Sequence, residues 1–254
     1  MSFSDVWEVY FERVIETIKT FKTLNESCET VFKSMWIIYG KIGEIVKKKG
    51  VLPPCQQFVS IYFRRNIVYL QSAHILACMG FSCPSMNLQR TVYETILRGY
   101  LFIVNHKEAN LYHSSLRTEK EEDFLRKKRF YGHSFLREEL FEPEKRKKHK
   151  EIYRELCISS HAEFKGLLVD FPTYDEKQVK DKLKVILSLA YGNIQMMTEG
   201  FFDLLDSDLK NVVKTMLQNI VESLENQVPI FEPDRKTYSS KIKLKDGNFM
   251  KILR

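Results

Sequence analysis

The sequence predicts an all-α fold: a bundle of six to eight helices with a small β-hairpin at its C-terminus. Three observations carry this expectation. Apolar residues recur every three or four positions along most of the chain, the spacing of helices that each bury one face. Glycine and proline are scarce, 10 and 7 of 254 residues, whereas sandwiches, barrels and glycine-looped nucleotide folds are punctuated by many turns. Polar and apolar residues alternate from Lys241 to Leu253 around Asp246-Gly247, a two-strand hairpin signal. The domain reading follows: residues 1–228 form the helical bundle, and residues 229–254 form a tail with the hairpin.

The first helix is marked by Phe3, Trp7, Tyr10, Phe11, Val14, Ile18 and Phe21. The second follows on Cys28, Phe32, Met35, Ile38, Ile42 and Ile45, and stops at Lys47-Lys48-Lys49-Gly50, cations and then glycine. Leu24-Asn25-Glu26 is a weak break, so these two helices are expected to join as one bent rod. A third helix spans about 56 to 79 and is closed by Gly80. Pro84-Ser85 opens a fourth that runs to about His106. The charged middle, 107 to 152, holds shorter pieces, and a further helix runs from about Glu144 to Phe164. Val179, Leu183, Ile186, Ala190, Ile194, Met197, Phe201 and Leu204 mark a long amphipathic helix. Leu209, Val212, Met216, Ile220 and Leu224 mark the last, capped near Ser207 or Asp208.

Composition bounds the function classes. Hydrophobic residues are 44% and charged residues 29% of the chain, which supports a sizeable core and argues against intrinsic disorder. The most apolar stretch, Ile67 to Phe81, is broken by Gln71 and His74 and is shorter than the ~20 residues a membrane span needs. The N-terminus has no basic n-region, so the cytoplasm is the expected compartment. The five cysteines, with no C-x-x-C pair, suit reduced thiols. No P-loop, G-x-G-x-x-G or H-E-x-x-H occurs, and neither a metal nor a cofactor is expected.

Charge is uneven. The net charge is +7, and Arg126 to Lys150 holds ten Lys or Arg against four Glu. Two clusters carry it: Arg126, Lys127, Lys128 and Arg129, and then Lys145, Arg146, Lys147 and Lys148. Phe130, Tyr131 and Phe135 interleave with the first. Cations beside aromatics suit single-stranded nucleic acid, where charges meet phosphates and rings stack on bases. The alternative is a solvated charged face.

Two polar constellations stand out on apolar helices. In the fourth helix Leu88, Val92, Gly99, Phe102 and Ile103 form one apolar face, yet Leu97 and Leu101 lie opposite. Arg90 and Glu94, spaced i and i+4, are therefore expected in a partly buried setting where each charge needs a partner. They form either an ion pair that sets helix register or a polar pocket within the bundle. In the later helix, Tyr153-Arg154-Glu155-Leu156-Cys157-Ile158-Ser159-Ser160-His161 places Arg154 and His161 nearly two turns apart on one face. A histidine that moves protons beside an arginine that holds a phosphate would suit metal-free RNA cleavage. The alternative is a buried, hydrogen-bonded His161 beside an exposed Arg154.

Leu88-Gln-Arg-Thr-Val-Tyr-Glu-Thr-Ile-Leu-Arg-Gly-Tyr-Leu-Phe resembles the Arg-x3-Glu helix of a family of uncharacterised, mostly helical prokaryotic proteins. Tyr153-x2-Leu156-Cys157-x3-His161 resembles that family's Tyr-x2-Leu-Ser-x3-His motif, with Cys157 in place of serine. The likeness covers about residues 60 to 200. It implies a helical bundle in which Arg90, Glu94, Tyr153 and His161 converge, and it brings no known activity. Arg154-x6-His161 also resembles the Arg-x4–6-His motif of the HEPN superfamily, as does Arg126-x6-His133. That likeness implies a dimeric ribonuclease or a binder of nucleotides or partners.

Two functional expectations follow. One is a non-enzymatic helical binding or assembly protein with a polar core cluster of Arg90, Glu94 and Tyr153. The other is an RNA-binding protein or metal-independent HEPN-like ribonuclease that uses Arg154 and His161. The partners expected are RNA or another protein, a second copy of the chain included, and no membrane.

Overall fold

The computed structural model describes residues 3–115, 133–158, 176–225 and 230–231. Among them are nine α-helices, one short 3-10 turn and no strand, so the fold is all-α. The alternating segment around Asp246-Gly247 lies outside the described residues. The helix total exceeds the expected six to eight because the charged middle adds two short helices ahead of the one expected from about Glu144.

Helices α1 (Phe3–Thr20) and α2 (Lys22–Lys49) meet at Phe21, whose φ of −109° and ψ of 38° bend the chain. Phe21 still donates its N–H to Thr17 O and Asn25 donates to Phe21 O, so the rod kinks without losing its ladder. Gly50, at φ +79°, ends α2, a left-handed turn that favours glycine. Pro54 opens α3 (Pro54–Cys78) at its first turn, where a missing N–H costs nothing. After Gly80, at φ +83°, the chain reverses into α4 (Ser82–Val104).

Helices α3 and α4 form an antiparallel pair, the most extensive contact in the fold. Its register is set by Ser85 Oγ on Ala73 O, Thr95 Oγ1 on Asn66 Oδ1, and Phe58 against Phe102. Helix α4 stops at Val104, two residues before the expected His106. Asn105 leaves the helical conformation and its Oδ1 accepts the Glu108 N–H, which caps α5 (His106–Ser115). Helices α6 (His133–Leu140) and α7 (Pro143–Ile158) pack on α4.

Helix α8 (Glu176–Gly200) is the axis of the bundle and touches α2, α3, α4 and the last helix. Every residue from Ile186 to Thr198 is buried, as expected of a helix wrapped on all sides. Its central asparagine is matched: Asn66 Nδ2 donates to Asn193 Oδ1 at 2.9 Å, and Asn193 Nδ2 reaches Phe63 O at 3.3 Å. Nearer its start, Lys182 Nζ donates to Ser82 Oγ.

A 3-10 turn, Phe202–Leu204, leads to α9 (Ser207–Ser223). The N-cap is Asp206, one residue before the expected caps, and its Oδ1 accepts the Leu209 N–H at 2.8 Å. Helix α9 packs on α2 and α8. The bundle also extends past the expected limit of residue 228. Phe231 is buried against Tyr93, Tyr100 and His149. It lies directly over Gly192, where a Cβ would stand 2.4 Å from its ring. Among the described residues no helix is long and apolar enough to cross a membrane.

Candidate functional site

The site is built where α7 crosses α4. On α4, Arg90, Glu94 and Arg98 are spaced one turn apart, and α7 lays Tyr153 over them. Arg90 Nε donates to Glu94 Oε1 at 3.0 Å, and Arg90 Nη2 donates to the Tyr153 hydroxyl at 3.0 Å. That hydroxyl in turn donates to Glu94 Oε1, also at 3.0 Å. The three side chains therefore close a triangle. Arg98 Nη2 stands 3.8 Å from Glu94 Oε2, and the Arg90 guanidinium lies 5.2 Å from the centre of the Tyr153 ring.

The setting is half-buried: the Arg90 and Glu94 side chains keep 26% and 22% of their exposure. Burial and then the adjacent Glu94 carboxylate push the Tyr153 hydroxyl upward, so it stays protonated and serves as a donor. Burial works against the Arg90 charge, but the bond to Glu94 together with the Tyr153, Cys157 and Glu94 charges outweighs it, and Arg90 is held above its ordinary value. An ion pair in such a place keeps its charges only because each is hydrogen-bonded.

Beneath the triangle lies a pair that the sequence reading missed. The Tyr93 hydroxyl lies 2.8 Å from His149 Nδ1 and 3.3 Å from the His149 carbonyl. The His149 ring stacks on Phe141 at 3.7 Å. Burial pushes His149 down to about 3, helped by Lys148, Lys145 and Arg137, so the ring is neutral. The signal for it was in the sequence: His149 stands four residues before Tyr153 and seven before Leu156, on one helix face. Its place inside the run Lys145 to Lys150 hid it.

The other anticipated residues are dispersed. Arg154 is exposed, one position round the helix from Tyr153, and it does not join the triangle. His161 lies outside the described residues, as do Arg126, Lys127, Lys128 and Arg129. Arg146 is not a free cation: its Nε donates to Phe141 O at 2.6 Å and its Nη2 to Glu138 O at 2.9 Å. It satisfies carbonyls at the end of α6. Lys147 and Lys148 are exposed and Lys145 is half-buried.

The cysteines are free thiols, four of them buried and Cys157 half-buried. His74 Nε2 lies 2.7 Å from Asn25 Oδ1, and Cys78 Sγ is 3.5 Å from that oxygen. This is a core hydrogen-bond cluster joining α2 and α3. Among the described residues no group of three or more His, Cys, Asp or Glu is arranged to hold a metal.

One buried acid gives a pH prediction. Glu199 Oε2 is buried and has no hydrogen-bond partner, and burial raises this carboxyl to about 8. From about pH 4.5 to 8 the folded chain keeps a proton on Glu199 that the unfolded chain has lost. Stability then falls as pH rises, by up to about 1.4 kcal/mol per pH unit. His149 and His74 are both lowered by burial, so below about pH 6.5 the unfolded chain takes up protons that the folded chain refuses. The histidines there lower stability as acid is added, and Glu199 opposes them down to about pH 4.5. Thermal melts should show stability falling above about pH 6.5, where the histidines no longer oppose Glu199, and Glu199→Gln should flatten that alkaline limb. An alkaline limb unchanged in Glu199→Gln would exclude this carboxyl as its cause.

Compared with known protein families, curated proteins and solved structures, the chain finds no match.

Proposed function

We propose that this chain is a non-enzymatic helical binding or assembly protein, in which Arg90, Glu94 and Tyr153 are a polar staple between α4 and α7. The observation that carries this reading is the closed triangle. The Arg90 guanidinium, the Glu94 Oε1 atom and the Tyr153 hydroxyl each bond to the other two. His149 Nδ1 faces the Tyr93 hydroxyl in the core. A site built for catalysis presents its donors and bases to a cavity, and here they are spent on one another. The likeness to the uncharacterised family with Arg-x3-Glu and Tyr-x2-Leu-Ser-x3-His motifs agrees with a cluster that the fold itself needs. The alternating segment after residue 240 supports a hairpin in the tail, and the free thiols support a cytoplasmic setting.

A second reading has its own support. On α7, Lys147, Lys150 and Arg154 are exposed at i, i+3 and i+7 and share one face. This basic stripe suits RNA, and with Arg154-x6-His161 it keeps the HEPN-like ribonuclease as the alternative.

One experiment separates the two. RNA is incubated with wild type, Arg154→Ala and His161→Ala in excess chelator, beside an RNA-binding titration at two salt concentrations. The binding or assembly reading expects no cleavage that depends on either residue. Cleavage resistant to chelator and lost in both variants, by the 10²–10⁴-fold typical of an acid–base group, would overturn it in favour of the ribonuclease. Binding without cleavage, weakening steeply with salt, would identify RNA as the partner.

A further inference from the structure

We infer that the chain associates with a second copy of itself, α1 of each protomer lying on α3 of the other. The inference rests on the assembly reading and names its partner. It starts from an apolar arc on α1 that is wider than its seat. Val14, Thr17 and Phe21 face the bundle: Thr17 is fully buried, and Val14 and Phe21 pack on the core. Rotated by about a quarter turn, Phe11, Ile15 and Ile18 form a second stripe at i, i+4 and i+7. It remains 62%, 52% and 41% exposed. Three large side chains in one line are more than the scattered exposed residues of an ordinary surface.

Helix α3 carries a matching stripe. Ile61, Val68 and Ile75 are spaced seven residues apart and are all exposed. This is the heptad repeat of a helix that presents a seam to another helix. The stripe is about 21 Å long at 1.5 Å per residue. The last turns of α1 and α3 meet around Asn25, which bonds to Thr17 O, Phe21 O and His74. The two stripes therefore leave from the same end of the bundle.

Charge selects the pairing. Glu8, Glu12 and Glu16 are exposed along the flank of the α1 stripe. Helix α3 has no acidic residue between Pro54 and Cys78. Arg64 and Arg65 flank its stripe on either side, Arg64 exposed and Arg65 resting on the Tyr62 and Tyr69 rings. An acidic, apolar α1 opposite a basic, apolar α3 is favourable. Pairing α1 with α1 would set one glutamate row against another. Because each protomer offers both surfaces, a two-fold axis uses both contacts and the assembly closes as a dimer.

The test is the mass of the full chain by light scattering and sedimentation over about 1–100 μM, the range of modest interfaces, at low and high salt. A dimer is expected, weaker at high salt. Phe11→Glu with Ile15→Glu should weaken it by about 100-fold or more, comparable with losing a hot spot, while the circular-dichroism spectrum is kept because both positions face solvent. Glu12→Arg and Arg64→Glu should each weaken it by about 5- to 10-fold, and the two together should restore it. A monomer at the highest concentration would overturn the inference, as would a dimer indifferent to Phe11 and Ile15 or a charge pair that fails to rescue. None of these outcomes bears on the Arg90, Glu94 and Tyr153 staple, whose role is read from stability and RNA cleavage, so the two readings fail separately.

Discussion

Replacing Asn66 by alanine should cost about 3 kcal/mol, the largest single effect expected of a polar residue in this bundle. Asn66 and Asn193 are both fully buried, one on α3 and one on the central α8. Asn66 Oδ1 accepts the Thr95 hydroxyl from α4 at 2.6 Å, and Asn66 Nδ2 donates to Asn193. One side chain thus ties three helices together. Its loss leaves Asn193 Oδ1 without that donor and opens a small cavity, and the two costs add. Urea unfolding of Asn66→Ala, Asn193→Ala and the double variant would measure this. A coupling of about 1–2 kcal/mol between the two positions is expected, because the second removal has no partner left to strand. Additive losses would show that each asparagine stabilises the fold through its own packing.

Glu94→Ala should cost about 2 kcal/mol, less than the ~3–5 kcal/mol of a fully buried broken pair, since both charges keep about a quarter of their exposure. The removal strands Arg90 beside Tyr153, whose hydroxyl loses its acceptor. Changing Arg90→Met together with Glu94→Leu should cost less than Glu94→Ala alone, because no charge is then left half-buried without a partner. Melting curves of the three proteins decide it. A Glu94→Ala protein as stable as wild type would mean that the triangle contributes nothing to the fold, and its geometry would then need a functional explanation.

The candidate site was legible to the extent that its members share a helix. Arg90 and Glu94 lie four residues apart, so one turn of α4 brings them together whatever else the chain does. Tyr153 could be named from the helix face. Its bonds to both charges depend on α7 crossing α4, a contact made across more than fifty positions of sequence. Arg146 shows the opposite case. Within a basic run it reads as a free cation, and only the tight turn from α6 into α7 brings its guanidinium to the carbonyls of Glu138 and Phe141.

Local chemistry written in the chain settled the class of the fold and most of its elements. The three- and four-residue apolar spacing made helices, Gly50 and Gly80 ended or turned them, and Pro54 opened one. These are short-range effects of side-chain direction and backbone freedom, and they need no neighbour. Which helix becomes the axis is decided by packing. The pattern of α8 reads as an ordinary amphipathic helix, yet Ile186 to Thr198 is buried without interruption. Asn193 and Ser188 are tolerated there because Asn66 and the Ile230 N–H arrive to satisfy them. The same holds for Phe231, placed by sequence in the tail and by structure over Gly192, the one kind of residue that leaves room for its ring. Burial, and with it the neutral His149 and the raised Glu199, belongs to surfaces that meet only when the chain has closed.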